Sequence, residues 1–393
     1  MHGYMPLTRL TPELSSLRDT VRTYAESEIA PLTKQMDDAG ALDPKLLSGL
    51  FTQGFMGIEV PERYGGTGLG FTDSCVIIEE ISRVDPAVGV LVDIHNTLIN
   101  RALIKFGTDE QKDKYLPKLA STYPGSFAIS ESGAGSDAFG LKTKAEKVTV
   151  DQWAISGEKM WISNSAEAGL FLVFARTDQF KTGGKGLTAF LVERDTPGLV
   201  VGKKEDKLGI RASSTCTVSF DKAKTTEVLG EEGKGGAIAV GLLNEGRIGI
   251  GAQMLGLAKG AFELGLKHLL SREQFGKKLY DFQGIRFQVA RARTEIEAAH
   301  LLVYNAAALK EACDRGEIES KDFIKEASMS NLYSSEVAER TASQVIEWLG
   351  GAGFTKEYGA EKFFRDSKIG SIYEGTSNMQ LETIAKQIMT EID

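Results

Sequence analysis

Cysteine is scarce in this 393-residue chain, and the three present, Cys75, Cys216 and Cys313, are far apart and odd in number. No CxxC pair occurs, so neither a disulfide framework nor a thiolate zinc site is suggested. A reducing compartment is the simple reading. The four histidines, His2, His95, His268 and His300, form no HxH or HExxH pattern, so no metal centre is expected. Basic charge is not in excess: the net charge is −8. Nucleic-acid binding wants a concentrated basic surface. The densest cluster, Lys203, Lys204 and Lys207, is interrupted by Glu205 and Asp206 and reads as a solvated loop. Nucleic acid is therefore not expected as a partner. No apolar run reaches the roughly 18–20 residues that cross a bilayer, so no membrane span is expected. Residues 1–10 show neither a signal-peptide core nor a convincing transit peptide.

What is present is ordinary globular composition, with 42% hydrophobic and 25% charged residues, enough for a large core. The length allows two or three domains, or one enzyme with subdomains. Three zones follow one another. Residues 1–125 read as helical: Thr11-Pro12 is an N-cap with proline at the first helical position, and Leu14, Leu17, Val21 and Tyr24 follow at spacings of three and four. Residues 126–232 carry short β-rich runs between turns, such as Phe171-Leu172-Val173-Phe174 and Phe190-Leu191-Val192, and predict a small antiparallel sandwich or barrel. Residues 233–393 return to long helices. Ile285, Val289, Ala292, Ile296, Ala299 and Val303 form a bundle seam, and Gly249, Gly251, Gly256 and Gly260 would let neighbours approach closely. The class is α+β, mostly α, with a β domain inserted between helical ones.

Taken singly, the motifs are weak. Gly65-Gly66-Thr67-Gly68-Leu69-Gly70 lacks the preceding strand and βαβ unit of a dinucleotide site, so it reads as a loop. The run Ser130-Glu131-Ser132-Gly133-Ala134-Gly135-Ser136-Asp137 would admit a planar or phosphorylated ligand, or be a surface turn. Trp161-Ile162-Ser163-Asn164 follows a predicted strand and by itself reads as core. Arg272-Glu273-Gln274-Phe275-Gly276-Lys277 breaks between two long helices, either as a polar loop or as a phosphate contact. Asn244-Glu245-Gly246-Arg247 reads as the opening of a helix, with Glu245 complementing its dipole. Glu374, in Ile372-Tyr373-Glu374-Gly375-Thr376, is either a capping carboxylate or, with its pKa raised in apolar surroundings, a general base.

In combination, the order and spacing of these motifs resemble the acyl-CoA dehydrogenase family over nearly the whole chain. The resemblance is strongest to its short/branched-chain members, in Phe55-Met56-Gly57-Ile58-Glu59-Val60, Asn96-Thr97-Leu98-Ile99-Asn100 and Leu208-Gly209-Ile210-Arg211-Ala212-Ser213-Ser214-Thr215-Cys216. It implies a helical N-terminal domain, a middle β domain and a C-terminal four-helix bundle, with FAD between the last two. Phe127, Ile129, Ser130, Gly135 and Ser136 match one flavin-contacting segment, and Trp161, Ile162 and Ser163 a second. Arg272, Gln274, Phe275 and Gln283 match residues that reach the pyrophosphate and adenine end of FAD from a neighbouring subunit. Glu347, Gly350 and Gly351 match another part of that site, although most of the wider family has Gln where Glu347 stands. Thr376 and Asn378 complete the cofactor set, while Ser136, Asn244, Arg247 and Gly375 match substrate-contacting positions.

By the same resemblance Glu374 is the catalytic base, acting while a hydride passes to flavin N5. Isovaleryl-CoA dehydrogenases carry their base on another helix, at the position held here by Gly246. Glu245 is one residue earlier, about 100° around a helix. Close relatives carry Tyr where this chain has Gly184 and Gly236. The resemblance further implies 2-methylbutyryl-, isobutyryl- or short straight-chain acyl-CoA as substrate, and an electron-transfer flavoprotein as acceptor. It also implies a homotetramer, arranged as a dimer of dimers, in the mitochondrial matrix or a bacterial cytoplasm. Another chain-length class, an acyl-CoA oxidase or a catalytically silent scaffold are the alternatives.

Overall fold

The computed structural model describes residues 10–392. The reading of the first residues as free of a signal core falls on residues 1–9, which lie outside the described residues. Helix α1 (Pro12–Tyr24) starts as expected, with Thr11 Oγ1 accepting the Leu14 N–H at 3.2 Å. Helix α2 (Phe71–Val84) is capped from far along the chain: the Glu311 carboxylate accepts the Thr72 N–H at 2.7 Å. A carboxylate at a helix N-terminus satisfies an orphan donor and complements the dipole.

Helix α3 (Pro86–Phe106) corrects one expectation from the sequence. It is 21 residues long with a mean hydropathy of 1.2 over its most apolar window, enough by length and composition to cross a membrane. Asp93, His95, Asn96 and Asn100 interrupt the run, which is why it reads as broken. Of that window, 94% is buried in the protein, and most of its polar groups find partners there, although Asp93 Oδ2 and Asn100 Oδ1 do not. Asn96 Nδ2 donates to Phe55 O and Val92 O, both at 2.9 Å, and His95 Nδ1 accepts the Gly125 N–H at 3.0 Å. A helix that is apolar all round and packed on all sides is a core helix.

The middle of the chain forms one eight-stranded sheet. Its strands are β1 (Gly125–Ala128), β2 (Lys144–Lys147), β3 (Trp153–Ser163), β4 (Leu170–Arg176), β5 (Leu187–Glu193), β6 (Leu199–Lys204), β7 (Thr215–Thr225) and β8 (Val228–Leu229). The order is β6-β7-β3-β2-β4-β5-β8, with β1 on β4. The sheet is not wholly antiparallel, as the sequence led us to expect, because β1 and β2 each pair parallel with β4. Side chains alternate across β4: Phe171 and Val173 enter a small core on one face, while Leu170, Leu172 and Phe174 join the main core on the other. Both faces are covered, so the strand reads as an unbroken apolar run.

Four long helices follow: α4 (Gly235–Ser271), α5 (Gln283–Asp314), α6 (Lys321–Leu349) and α7 (Ser377–Ile392). Helix α6 packs on the other three. The α5 seam is buried at Val289, Ala292, Ile296, Ala299 and Val303. Helix α4 is enclosed on most sides. Glycine stands where neighbours come closest: a Cβ at Gly256 would strike Glu79 O, and one at Gly260 would strike Arg83 O, both backbone atoms of α2. Backbone cannot yield as a side-chain tip can. Gly260→Ala should therefore destabilise the fold by about 1–3 kcal/mol, the usual cost of overpacking. Urea unfolding checks this, and an unchanged midpoint would contradict it.

Candidate active site

Glu374 lies in a tight turn before α7. Ile372 and Tyr373 donate their N–H groups back to Ile369 O, and then both Glu374 and Gly375 take left-handed backbone, with φ of 50° and 92°. For a residue with a Cβ that costs about 1–2 kcal/mol. Thr376 Oγ1 accepts the Met379 N–H at 3.3 Å, so threonine, not Glu374, performs the capping. The carboxylate points instead at α4, where a Cβ on Gly246 would lie 2.8 Å from Glu374 Oε2 and 3.1 Å from Leu98 Cδ2. The residue is half-buried, but Oε2 is enclosed and has no hydrogen-bond partner. Burial pushes its pKa up to about 7, with Arg247 opposing the rise.

Arg247 sits one residue beyond Gly246. Its Nη1 donates to Asn244 Oδ1 at 3.1 Å and Ser328 Oγ at 3.0 Å, and its Nε is buried without a partner. A second carboxyl, Asp93 on α3, faces α4 one turn further along, where a Cβ on Gly249 would overlap its Oδ1. Asp93 Oδ1 accepts from Thr97 Oγ1 at 3.0 Å and Oδ2 has no partner. Burial, with the charge of Glu374 nearby, holds Asp93 well above the usual carboxylate range. Asp93 and Ser328 were not singled out from the sequence. Each is one polar residue on a long buried helix and carries no motif.

Asn244-Glu245-Gly246-Arg247 does not open a helix. It lies inside α4, whose start at Gly235 has no side-chain cap. Glu245 therefore meets no exposed helix end. It is buried, with Oε2 2.8 Å from Arg101 Nε and Oε1 3.1 Å from Lys105 Nζ, and Lys310 lies near. Burial would raise its pKa, but Lys310, Arg101 and Lys105 more than offset this and leave it below its ordinary value. Arg101 also pairs with Glu59 and Asp314, so Glu245 is one member of a charge cluster joining α3, α4 and α5.

The two proposed flavin segments come together at the edge of the sheet. Met160 N–H donates to Ser130 O at 2.9 Å, and Ser126 Oγ donates to Ser163 O at 2.8 Å. Phe127, Ile129 and Ile162 are buried, while Gly135 and Ser136 are exposed. The pairing of β3 with β7 slips between Lys159 and Ile162, and there Trp161 takes φ 64° and stays 55% exposed. The indole is thus turned out of the core, contrary to its reading from the sequence alone. Beneath the loop, buried Lys159 donates to Ile129 O at 3.0 Å and Glu131 Oε1 at 2.8 Å, and Glu131 accepts the N–H groups of Lys142 and Thr143. Gly133 and Gly135 have open space where a Cβ would be. A rigid loop with an open glycine edge beside an exposed indole fits a planar ligand.

The remaining candidates lie at the helix ends of the C-terminal region. Residues 273–278 form a small hairpin, Glu273–Gln274 with Lys277–Lys278, whose tip Phe275 is 94% exposed. Arg272, Gln274 and Gln283 are exposed as well. Trp348 Nε1 donates to Gln288 Oε1 at 2.9 Å, which ties the end of α6, with exposed Glu347, Gly350 and Gly351, to the start of α5. Thr376 and Asn378 lie instead at the start of α7, beside Glu374.

Gly184 and Gly236 touch each other: a Cβ on Gly236 would lie 2.5 Å from Gly184 Cα. The two glycines are therefore one feature, a contact of two backbones that is tighter on the Gly236 side than on the Gly184 side, where a Cβ would lie 3.1 Å from Gly236 Cα.

The chain matches three family descriptions in order: Acyl-CoA dehydrogenase, N-terminal domain over residues 11–123; middle domain over 126–223; and C-terminal domain over 233–389. The fold is that of the acyl-CoA dehydrogenases, a class of flavoprotein oxidoreductases. The chain belongs to the acyl-CoA dehydrogenase family. It is 52% identical over 390 residues to the short/branched chain specific acyl-CoA dehydrogenase, mitochondrial, of Rattus norvegicus, covering 99% of this chain and 88% of the rat protein. Butyryl-CoA dehydrogenase from Megasphaera elsdenii superposes with a TM-score of 0.92 at 36% identity, over 97% of this chain and 99% of that one. An acyl-CoA dehydrogenase complexed with FAD from Bacillus anthracis gives 0.90 at 31% identity, over 99% of this chain and 68% of that one.

The Gly184–Gly236 contact makes a prediction of its own. Gly236→Ala should displace the turn Gly183–Gly186 and destabilise the protein by about 1–3 kcal/mol. Gly241→Ala, on the same helix with open space around it, should cost far less. Thermal unfolding of the two variants side by side checks the difference.

Proposed function

We propose that this chain is an FAD-dependent dehydrogenase of short and branched acyl-CoA thioesters, with Glu374 as the base. The observation that carries the reading is the enclosed, partnerless Glu374 Oε2, its pKa pushed up to about 7 and its path kept open by Gly246. A general base is most effective when its pKa lies near the working pH. Glu245, the other carboxylate at this level of α4, is held ionised and engaged by Arg101 and Lys105, which disqualifies it.

The α-proton of a thioester is weakly acidic, so the enolate that forms as it leaves needs stabilisation. The backbone N–H of Glu374 is assigned to the thioester carbonyl, as a donor aimed where negative charge develops. Glu374 takes the α-proton. The chemistry that bound FAD would supply is a hydride acceptor for the β-hydrogen, which would take the two electrons of that C–H bond and leave a trans-2-enoyl-CoA. Phe127, Ile129, Ser130, Gly135, Ser136, Trp161, Ile162 and Ser163 are assigned to hold the flavin, and Thr376 and Asn378 its neighbourhood at α7. Ser136, Asn244, Arg247 and Gly375 are assigned to the substrate. Arg247 also keeps a positive charge beside Glu374, which limits how far burial raises its pKa.

The identity to the rat protein along the whole chain supports 2-methylbutyryl-, isobutyryl- and short straight-chain acyl-CoA as substrates. It also supports a mitochondrial location, the word that the rat protein's name carries, and within it the matrix is our proposal. An electron-transfer flavoprotein is the proposed acceptor. Exposed Phe275 and Phe354 are surfaces that assembly would cover, in keeping with a homotetramer in which Arg272, Gln274, Phe275, Gln283, Glu347, Gly350 and Gly351 serve a neighbour's FAD. The three residue ranges 1–125, 126–232 and 233–393 are our proposed domains.

Glu374→Gln should keep its yellow colour and bind acyl-CoA while turnover falls by about 10³-fold, within the usual contribution of a general base. A panel of acyl-CoAs monitored by flavin bleaching reads this directly; near-normal turnover would sink the assignment. The base must be ionised to act, so kcat/KM should rise with pH through about 7 and level off above it. A rate independent of pH from roughly one and a half units below that value to one and a half above it would contradict the reading.

A further inference from the structure

Gln380, in the first turn of α7, is fully buried, yet both of its strongest contacts run backwards out of the helix. Its Nε2 donates to Glu374 O at 3.0 Å and to Gly375 O at 2.8 Å. These are the carbonyls of two consecutive left-handed residues, and one amide with two N–H groups meets both. A Cβ on Gly375 would lie 2.9 Å from that same Nε2, so glycine is required for the amide to reach in. The other end of the amide, Oε1, is buried without a partner. A buried polar atom left unpaired is costly, and a side chain that only stabilised α7 would not need it. We propose that Gln380 is a positioning residue for the base: it fixes the left-handed turn from which the Glu374 carboxylate projects towards Gly246.

The peptide plane between Glu374 and Gly375 sets the direction of the Glu374 Cα–Cβ bond, and Gln380 is anchored to the carbonyl on that plane and to the next one. The anchor itself is held, because Gln380 N–H donates to Thr376 O at 3.0 Å within the helix whose first turn Thr376 caps. Helix α7 packs on α6. The chain of contact therefore runs from the bundle through Gln380 to the base. An error of about 1 Å in the placement of a reacting group can cost on the order of 10²-fold in rate.

The inference depends on the reading of Glu374 as base, and the experiment separates the two. Gln380→Met keeps the volume and removes both donors. In the FAD-loaded enzyme, kcat should fall by about 10–100-fold, with KM, flavin content and thermal midpoint nearly unchanged. Gln380→Glu supplies an independent arm. Its carboxyl donates one hydrogen bond when protonated and none when ionised, so its rate relative to wild type should recover as pH falls, while that of Gln380→Met stays flat. In the Glu374→Gln background, Gln380→Met should cost far less than it does in the wild type, because the carboxylate it positions is gone and only the placement of the Glu374 N–H and Gly375 is left to lose. A full additional loss there would overturn the proposal, as would kcat falling only in step with flavin content and melting temperature, or not falling at all. If Gln380→Met does not fold, the pH recovery of Gln380→Glu decides alone. High turnover in Glu374→Gln by itself would overturn the base assignment rather than the role of Gln380.

Discussion

Close backbone approach along α4 is the constraint on which the rest of the structure depends. Gly256 and Gly260 let α2 lie against it, Gly249 leaves room for the Asp93 carboxyl, and Gly236 meets Gly184 at the edge of the sheet region. Gly246 belongs to the same series, but its role is different. There the space a side chain would fill is occupied by the Glu374 carboxylate. Glycine in a helix interior costs helix propensity, about 1 kcal/mol each relative to alanine. The cost is offset here by burial, because a helix enclosed on most sides is stabilised by packing rather than by propensity.

Two carboxylates at one level of α4 show how environment sorts chemistry. Glu245 points into a cluster with Arg101, Lys105 and Lys310 and is held ionised. Removing one member of such a cluster leaves a buried charge uncompensated, which makes it a structural tie between α3, α4 and α5. Glu374 approaches the same helix from the other side, and its Oε2 has no partner. Its folded-state pKa lies above its unfolded value, so the folded state binds the proton more tightly. Its contribution to stability is therefore present at acid pH and lost as pH rises towards about 7. A strained backbone and a destabilised charge at one residue are what a functional site looks like when its cost is carried by the surrounding fold.

Much of this was legible in the sequence. Periodicity gave the α5 seam, and the glycines of α4 announced close packing before any neighbour was visible. The rest failed for identifiable reasons. Asn244-Glu245-Gly246-Arg247 looked like a helix start because the true start, Gly235, carries no cap and earlier residues are glycine-rich. The parallel pairing of four-residue β1 with β4 joins segments more than forty positions apart, which local alternation cannot reveal. Helix α3 hid its length behind Asp93, His95 and two asparagines whose partners lie in other segments. Glu374 reads as either cap or base in the sequence, and the structure gives the capping to Thr376. Gln380 left no trace at all: a polar residue on an amphipathic helix is unremarkable until its amide is found on the carbonyls of Glu374 and Gly375.

The candidate ligand residues then fall into two groups with different physical character. Those around the 130–136 loop, Trp161 and Glu374 are backed by buried polar supports such as Lys159 and Gln380, so their geometry is fixed within one chain. Those at Arg272, Gln274, Phe275 and Gln283 stand exposed on a hairpin and a helix start, with an aromatic ring almost wholly in solvent. A bare phenylalanine at the tip of a tight turn is an unfinished contact. In the tetramer proposed above it is finished by another copy, so each chain would complete one flavin site and contribute to a second. The internal site is backed by buried polar side chains, whereas the hairpin is held by its own strand pairing and the Phe275–Phe282 ring contact, so assembly would govern cofactor retention more than the orientation of Glu374.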